Sequence, residues 1–246
     1  MPRGDAALAR LAARNNAEWC RTVAESHGIA SRFALDGALW VAESSTPIGY
    51  PEAVTLEPGL DAAAVFGALG PHATSVKDSF ADLDPDATGW APLFDATWIV
   101  AEAIAGGSAG ADDLPALVRV TSADALETWG RAHGLPDALA EPLVGASDVV
   151  VLATARAETS TSVPGAVTGG GVLNRTGEVV GLSNVFGGGH ALYRALRREA
   201  AARWPGLPVV GYESDAALDD ALDADFRRVG PLRILTRATQ PDRQTA

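Results

Sequence analysis

The sequence predicts an α/β protein with mixed sheets, built as two related halves over residues 1–110 and 111–246. Three observations lead there. Helical and extended patterns alternate along the chain. A small-residue stretch at 105–111 interrupts them, after which a similar string restarts. The words Glu18-Trp19-Cys20-Arg21 and His27-Gly28-Ile29 are echoed by Glu127-Thr128-Trp129-Gly130-Arg131 and His133-Gly134-Leu135, with altered spacing.

In the first half, Leu8, Leu11, Ala12, Trp19 and Val23 recur at helical steps, so a helix is expected from Asp5, as N-cap, to His27, stopped by Gly28. Asn15 lies on that stripe and either caps a neighbouring strand or faces a pocket. Short strands are expected at 38–43, 53–56, 74–76 and 98–101, with a helix at 60–69. In the second half the expectation is a strand at 117–120 and helices at 122–133 and 136–143. The apolar run 148–154 reads as a buried strand. Residues 169–173 and 178–186 form a hairpin around Asn174-Arg175-Thr176-Gly177. A basic helix over 191–204, a strand at 207–212, a helix at 215–226 and a strand at 231–236 complete the chain.

Composition narrows the function. The net charge of −12 disfavours nucleic acid and anionic membranes as partners. No apolar stretch is long enough to span a bilayer and no signal segment opens the chain, so a cytoplasmic protein is expected. One cysteine and four scattered histidines offer no metal cluster. The segment 34–113 holds thirteen acidic residues and a single basic one, Lys77, whereas Arg194, Arg197 and Arg198 cluster on one helix. That asymmetry reads as solvated surface, or as an acidic half for a cationic substrate and a basic group for an anionic cofactor.

Residues 178–236 run strand, glycine loop, helix, strand, helix, strand. The strand EVVGLSNVF leads into Gly187-Gly188-Gly189-His190-Ala191-Leu192-Tyr193. That order resembles the cofactor-binding half of the GNAT-type N-acetyltransferases, and LPVVGYES with the later Asp225-Phe226 to Ile234 is similar to that family's last strands. The loop departs from the family's pattern, lacking the leading Arg or Gln. By element order the likeness covers most of the chain and implies tandem GNAT-like halves, the first degenerate.

The resemblance implies an N-acyltransferase that carries an acyl group from acetyl-CoA, or a related acyl-CoA, to a small amine. A GNAT-like binding or regulatory protein, and another acyl-thioester reaction, are the alternatives; a homodimer is left open. Gly187, Gly188, Gly189, His190 and Ala191 would receive the pyrophosphate on backbone N–H groups, helped by Arg194. The main chain of Asn184, Val185 and Phe186 would polarise the thioester carbonyl. Glu178 or Glu213 would be the general base, and Tyr212 or Tyr193 would protonate the leaving thiolate. Glu57-Pro58-Gly59 is acidic where a phosphate would sit, so the first half should bind no nucleotide. His190 also reads as a polar loop residue, Cys20 as inert core, and Asp78, Asp82, Asp84 and Asp86 as a solvated loop without the glycine and terminal Glu of a calcium site.

Overall fold

The computed structural model describes residues 4–85, 89–103, 114–155 and 167–237. The expected linker at 105–111, the boundary between the halves and Asp86 lie outside the described residues. No described helix is long and apolar enough to cross a membrane.

Helix α1 (Asp5–Ser26) opens the fold. Its N-cap is Gly4, not Asp5, which lies in the first turn. Gly28, at φ 73°, ends it with the amide of Ile29 returning to Ala24 O at 2.9 Å. Then come β1 (Ser31–Ala34), β2 (Leu39–Ala42), β3 (Ala53–Thr55), α2 (Ala62–Gly67), β4 (Ser75–Asp78) and β5 (Trp90–Ala101). Helix α2 begins later than its apolar pattern because Asp61 caps it, accepting from Ala64 N at 3.0 Å. Strand β1 carried no expectation, since its burial does not alternate.

The second half contains β6 (Leu117–Arg119), α3 (Ala123–His133), β7 (Val149–Ala155), β8 (Val167–Thr176), β9 (Val179–Phe186), α4 (Gly189–Arg203), β10 (Val209–Glu213), α5 (Asp215–Asp223) and β11 (Arg227–Arg237). Ser122 and Gly134 bound α3 as expected, the glycine at φ 88°. The helix expected at 136–143 is instead a turn and a 3-10 segment, Glu141–Gly145. Pro136 and Pro142 each remove a backbone donor there.

The eleven strands among the described residues form one mixed sheet in the order β1-β2-β3-β4-β11-β5-β10-β9-β8-β7-β6. The two long strands cross over at its centre. Strand β5 of the first half pairs with β10 and β11, and β11 pairs with β4 and β5. Neither therefore pairs with another strand of its own half: β5 has only second-half neighbours and β11 only first-half ones. Both run beyond their sequence-predicted ends, because Pro92, Asp95 and Arg233 masked the period-2 pattern of strands flanked on both sides.

The arrangement has an approximate two-fold about the β5–β11 pair. Trp98 of β5 lies opposite Tyr212 on β10 and Gly230 on β11; its counterpart Ile234 lies opposite Lys77 on β4 and Phe94 on β5. Lys77 thus corresponds to Tyr212, and Asp78 to Glu213. The described parallel pairs, β3/β4 and β9/β10, are related in the same way. One face of the sheet packs on α1 and α3 through a core containing Trp19, Trp98 and Trp129; the other is covered by α4 and α5, and by α2.

The strand exchange makes a prediction. Expressed alone, a fragment from residue 114 onward leaves β11 with no partner strand, and a fragment ending at 103 does the same to β5. Neither should melt cooperatively in calorimetry, whereas co-expressed fragments should assemble and do so. A sharp unfolding transition from the isolated second fragment would refute this.

Candidate functional site

The site begins where β9 and β10 part. They pair in parallel only at Val180 with Val209 and Gly181 with Val210. Gly211 still lies close, since a Cβ there would come within 2.8 Å of Leu182 O. Beyond it β9 runs on to Phe186 beside β8, and β10 to Glu213 beside β5, so both outer ladders persist while the inner one opens.

A bulge widens the opening. Between Ser183 and Phe186 the β8–β9 register slips, and Asn184 adopts φ 54°. An extra residue in one strand loses its ladder partner and re-aims the chain. Tyr50 holds the bulge, its hydroxyl donating to Asn184 Oδ1 at 2.9 Å. Burial pushes the Tyr50 phenol well above its ordinary range, so it stays a donor.

A cavity of about 230 Å³ occupies the gap. Its α1 side carries Asn16, Trp19, Cys20, Tyr50, Lys77 and Tyr212; Ser183, Asn184, Val185 and Glu213 belong to the parted strands, and His133 and Leu135 close one flank. Alternation along β10 puts Tyr212 on the α1 face and Glu213 toward α4. Tyr212 meets Trp98 edge-on, with ring centroids 5.5 Å apart. Burial lowers the pKa of His133, which favours a neutral ring stacked on Trp129. Burial raises the Cys20 thiol, outweighing the lowering influence of Lys77, consistent with an unreactive side chain.

Glu213 is the perturbed acid of the site. Desolvation pushes its carboxyl up to about 7, and nearby Tyr193 offsets only part of this. The Tyr193 hydroxyl is buried, close enough to Glu213 for each to influence the other, yet outside hydrogen-bonding geometry. Its own pKa is raised by burial and by the Glu213 charge.

Beyond β9 come Gly187, Gly188 and Gly189 at φ 67°, 71° and 53°, a run that side chains rarely tolerate. A Cβ on Gly187 would lie 2.2 Å from Thr168 O. Gly188 is the N-cap of α4; no side chain caps this end and its first turn holds no acid. The amides there are free of a side-chain cap, which suits an anion such as a pyrophosphate. His190 is exposed in that turn, and Ala191 follows it.

The expected residues therefore divide. Asn184, Val185, Tyr212 and Glu213 line one cavity, and Phe186 and the glycine loop continue the chain beyond it. Glu178 stands at the other end of β9, eight residues and roughly 26 Å of extended strand from the glycine loop. Arg194 does not reach toward the loop: it donates to Asp223 O at 2.7 Å, and Arg197 to Ala224 O at 2.6 Å. These arginines cap the end of α5. Asn15 takes its structural reading, Nδ2 donating to Asn174 O at 3.4 Å, while its neighbour Asn16 faces the cavity. Sequence reasoning missed Asn16, Tyr50, Lys77 and His133 as cavity residues; the one available signal was that Lys77 is the only lysine in the chain. Among the described residues no group of His, Cys, Asp or Glu could hold a metal ion.

In the first half the equivalent gap is closed. Thr55 Oγ1, at the end of β3, accepts from Ser79 N beyond β4 at 2.8 Å. The Asp78 carboxylate is taken by the amides of Phe80 and Leu83. Glu52, where the second half has Gly181, is bound by the amides of Thr74 and Ser75.

No protein-family model matches the chain, and no curated protein matches it significantly in sequence. Solved structures do match. A GCN5-related N-acetyltransferase from Kribbella flavida superposes with a TM-score of 0.57 at 14% identity, over 93% of this chain and 96% of that one. A GNAT-family protein from Novosphingobium aromaticivorans gives 0.53 at 16%, over 92% and 99%. A functionally unknown conserved protein from Staphylococcus epidermidis gives 0.50 at 12%, over 80% and 84%. With the parted parallel strands, the bulge and the glycine loop, these likenesses show that the chain has the fold of the GNAT acetyltransferases.

Proposed function

We propose that the protein is an N-acyltransferase that moves an acetyl or related acyl group from coenzyme A to a small amine. The observation that carries this reading is the open β9–β10 gap, with a bulged main chain on one wall and a carboxyl of raised pKa on the other. An acyl-CoA bound there supplies the acyl group as a thioester. The uncapped start of α4 fits its pyrophosphate, so Gly187 to Ala191 would hold it. Amides near Asn184 would donate to the carbonyl oxygen as negative charge develops on it.

Glu213 takes the proton that the amine nitrogen must shed as its bond to the acyl carbon forms and the carbon–sulfur bond breaks. A carboxyl titrating near 7 is about half ionised at neutral pH and basic enough to serve. Tyr212, which lines the cavity, would protonate the departing sulfur, while Tyr193 lies close to Glu213 on the α4 side. A second reading, a protein that binds its ligand without transfer, is favoured by Asp220. A Cβ on Gly189 would lie 3.4 Å from Asp220 Oδ1, which sets an acid beside the loop.

Thiol release from acetyl-CoA across an amine panel decides between them: steady release supports transfer, and binding without release supports the second reading. Two outcomes are expected of variants. Gly188→Asp should abolish the melting-temperature rise given by CoA, because it places bulk 2.8 Å from Leu192 Cβ and a like charge beside the phosphates. Glu213→Gln should lower the rate ~10²–10⁴-fold with CoA affinity unchanged.

The same substitution has an opposite effect on stability. The folded pKa of Glu213 lies above its ordinary 4.5, so the native state holds the proton more tightly than the unfolded chain. That contribution is full below pH 4.5 and is lost as pH rises through about 7. Glu213→Gln should therefore melt higher than wild type at pH 8, the gap closing toward pH 4.5. The wild-type rate should rise with pH across the same interval. A gap independent of pH would remove Glu213 as the perturbed acid.

A further inference from the structure

The chain contains eighteen arginines and one lysine, and that lysine is among its most buried side chains, at 1% exposure. Lys77 projects from β4 to the α1 face of the sheet and lines the cavity. Its ammonium donates to Asn16 Oδ1 at 2.7 Å and lies 4.0 Å from the centre of the Tyr212 ring. Among the described residues it makes no ion pair, and Glu213, though on the same cavity, is beyond 4.0 Å.

A buried cation without a counter-ion is costly, and folded proteins either pair such charges or neutralise them. An ammonium has three donors, and one amide oxygen and a ring face leave it incompletely satisfied. The first half has closed its own gap with hydrogen bonds, so Lys77 serves no nucleotide there; it has been turned into the opening of the other half. It meets Tyr212, its own counterpart in the two-fold, over the face of β11 and β5 beside that opening. The cavity, about 230 Å³, is smaller than the ~300–1,000 Å³ of pockets for drug-sized ligands and suits a metabolite.

We propose that the Lys77 ammonium, steadied by Asn16 and Tyr212, is the built counter-ion for a carboxylate on the molecule that fills this cavity. Resting on the acyl-transfer reading, the inference defines the reactants: the carboxylate belongs to an amino-acid acceptor or to a dicarboxylic acyl group on the thioester. Asn16, on α1 of the first half, then gives the degenerate half its task, which is to recognise substrate for the other.

The test has a binding arm and a turnover arm. In the first, wild-type protein is melted with L-alanine, L-leucine and succinate, and with ethylamine and isoamylamine. A carboxylate-bearing probe should raise the melting temperature, and Lys77→Met and Lys77→Gln should erase the rise while leaving the shift given by CoA. No shift with any carboxylate overturns the proposal, as does a shift that both variants retain. In the second, each amino acid with acetyl-CoA is compared with its decarboxylated amine, and the amines are tried with succinyl-CoA.

A preference of about 10- to ~10²-fold in kcat/KM for the carboxylate partner is expected, the range of a hydrogen bond to a charged group. Preference for amino acids assigns the carboxylate to the acceptor; preference for succinyl-CoA assigns it to the donor. Equal rates with and without a carboxylate overturn the proposal. If no thiol is released at all, acyl transfer fails as a function while the melting arm still decides the role of Lys77. The variants themselves report on the alternative of a purely structural ammonium. Removing an unpaired buried charge should leave the apo protein melting no lower than wild type, and a clear loss would count against the site.

Discussion

The pairing of β5 with β11 is the constraint on which the other features depend. Each is the long strand of its half, yet each finds its partners across the pseudo-two-fold, so the sheet is continuous through the middle of the molecule. Because both lie between other strands, backbone donors and acceptors on two sides are met by the opposite half. Trp98 anchors the crossing, fully buried, with its indole N–H on Ser79 O at 2.7 Å. The consequence for the site is rigidity on one wall. Strand β10 is paired with β5 from Val209 to Glu213, so it cannot follow β9 when the latter bulges away, and the gap stays open.

Equivalent positions in the two halves then diverge by burial chemistry. Where the first half has Thr55, Asp78 and Glu52, each polar group is met by local amides, and the parallel strands are tied together beyond their ends. Where the second half has Asn184, Glu213 and Gly181, no such ties form among the described residues. Asn184 is held by Tyr50 from the first half, and the Ser183 hydroxyl and His133 Nδ1 are buried without partners at the cavity. Unsatisfied buried polar groups each cost about 1–3 kcal/mol. Such groups are not confined to the opening, since Ser79 Oγ and Trp40 Nε1 of the first half are also buried without partners.

Much of this was legible in the sequence, for local reasons. The helices α1, α3 and α4, the β8–β9 hairpin and the glycine loop follow from periodicity, caps and turn residues that sit within a few positions of one another. The choice between Glu178 and Glu213 could not be made that way. Both flank a strand in the same string, and only the direction of β9 relative to the opening separates them. Arg194 is a related case: its position at the start of a helix points to phosphate, while its length lets it fold back to the carbonyls ending α5. The crossing of β5 and β11 was invisible, since strand order in a sheet depends on contacts more than a hundred residues apart. Lys77 lay in plain view as the only basic residue of an acidic stretch, but charge counting treats it as dilution, whereas burial makes it a feature.

That distinction bears on what the first half is for. A copy that had simply decayed would be expected to lose buried polar groups, because each is expensive and apolar replacements of similar volume cost less. Here the closed half instead carries a well-ordered polar set directed outward from its own gap: Asn16 and Lys77 bonded to each other, Tyr50 on the partner bulge, all on the cavity of the open half. The two-fold explains how they arrive there. It brings β4 and β10 to the two sides of the β5–β11 pair, so that residues of β4 on the α1 face look across two strands toward those of β10, and one helix, α1, can reach both. With one gap closed, side chains of the first half line the walls of the other, and the resulting cavity draws on both halves asymmetrically.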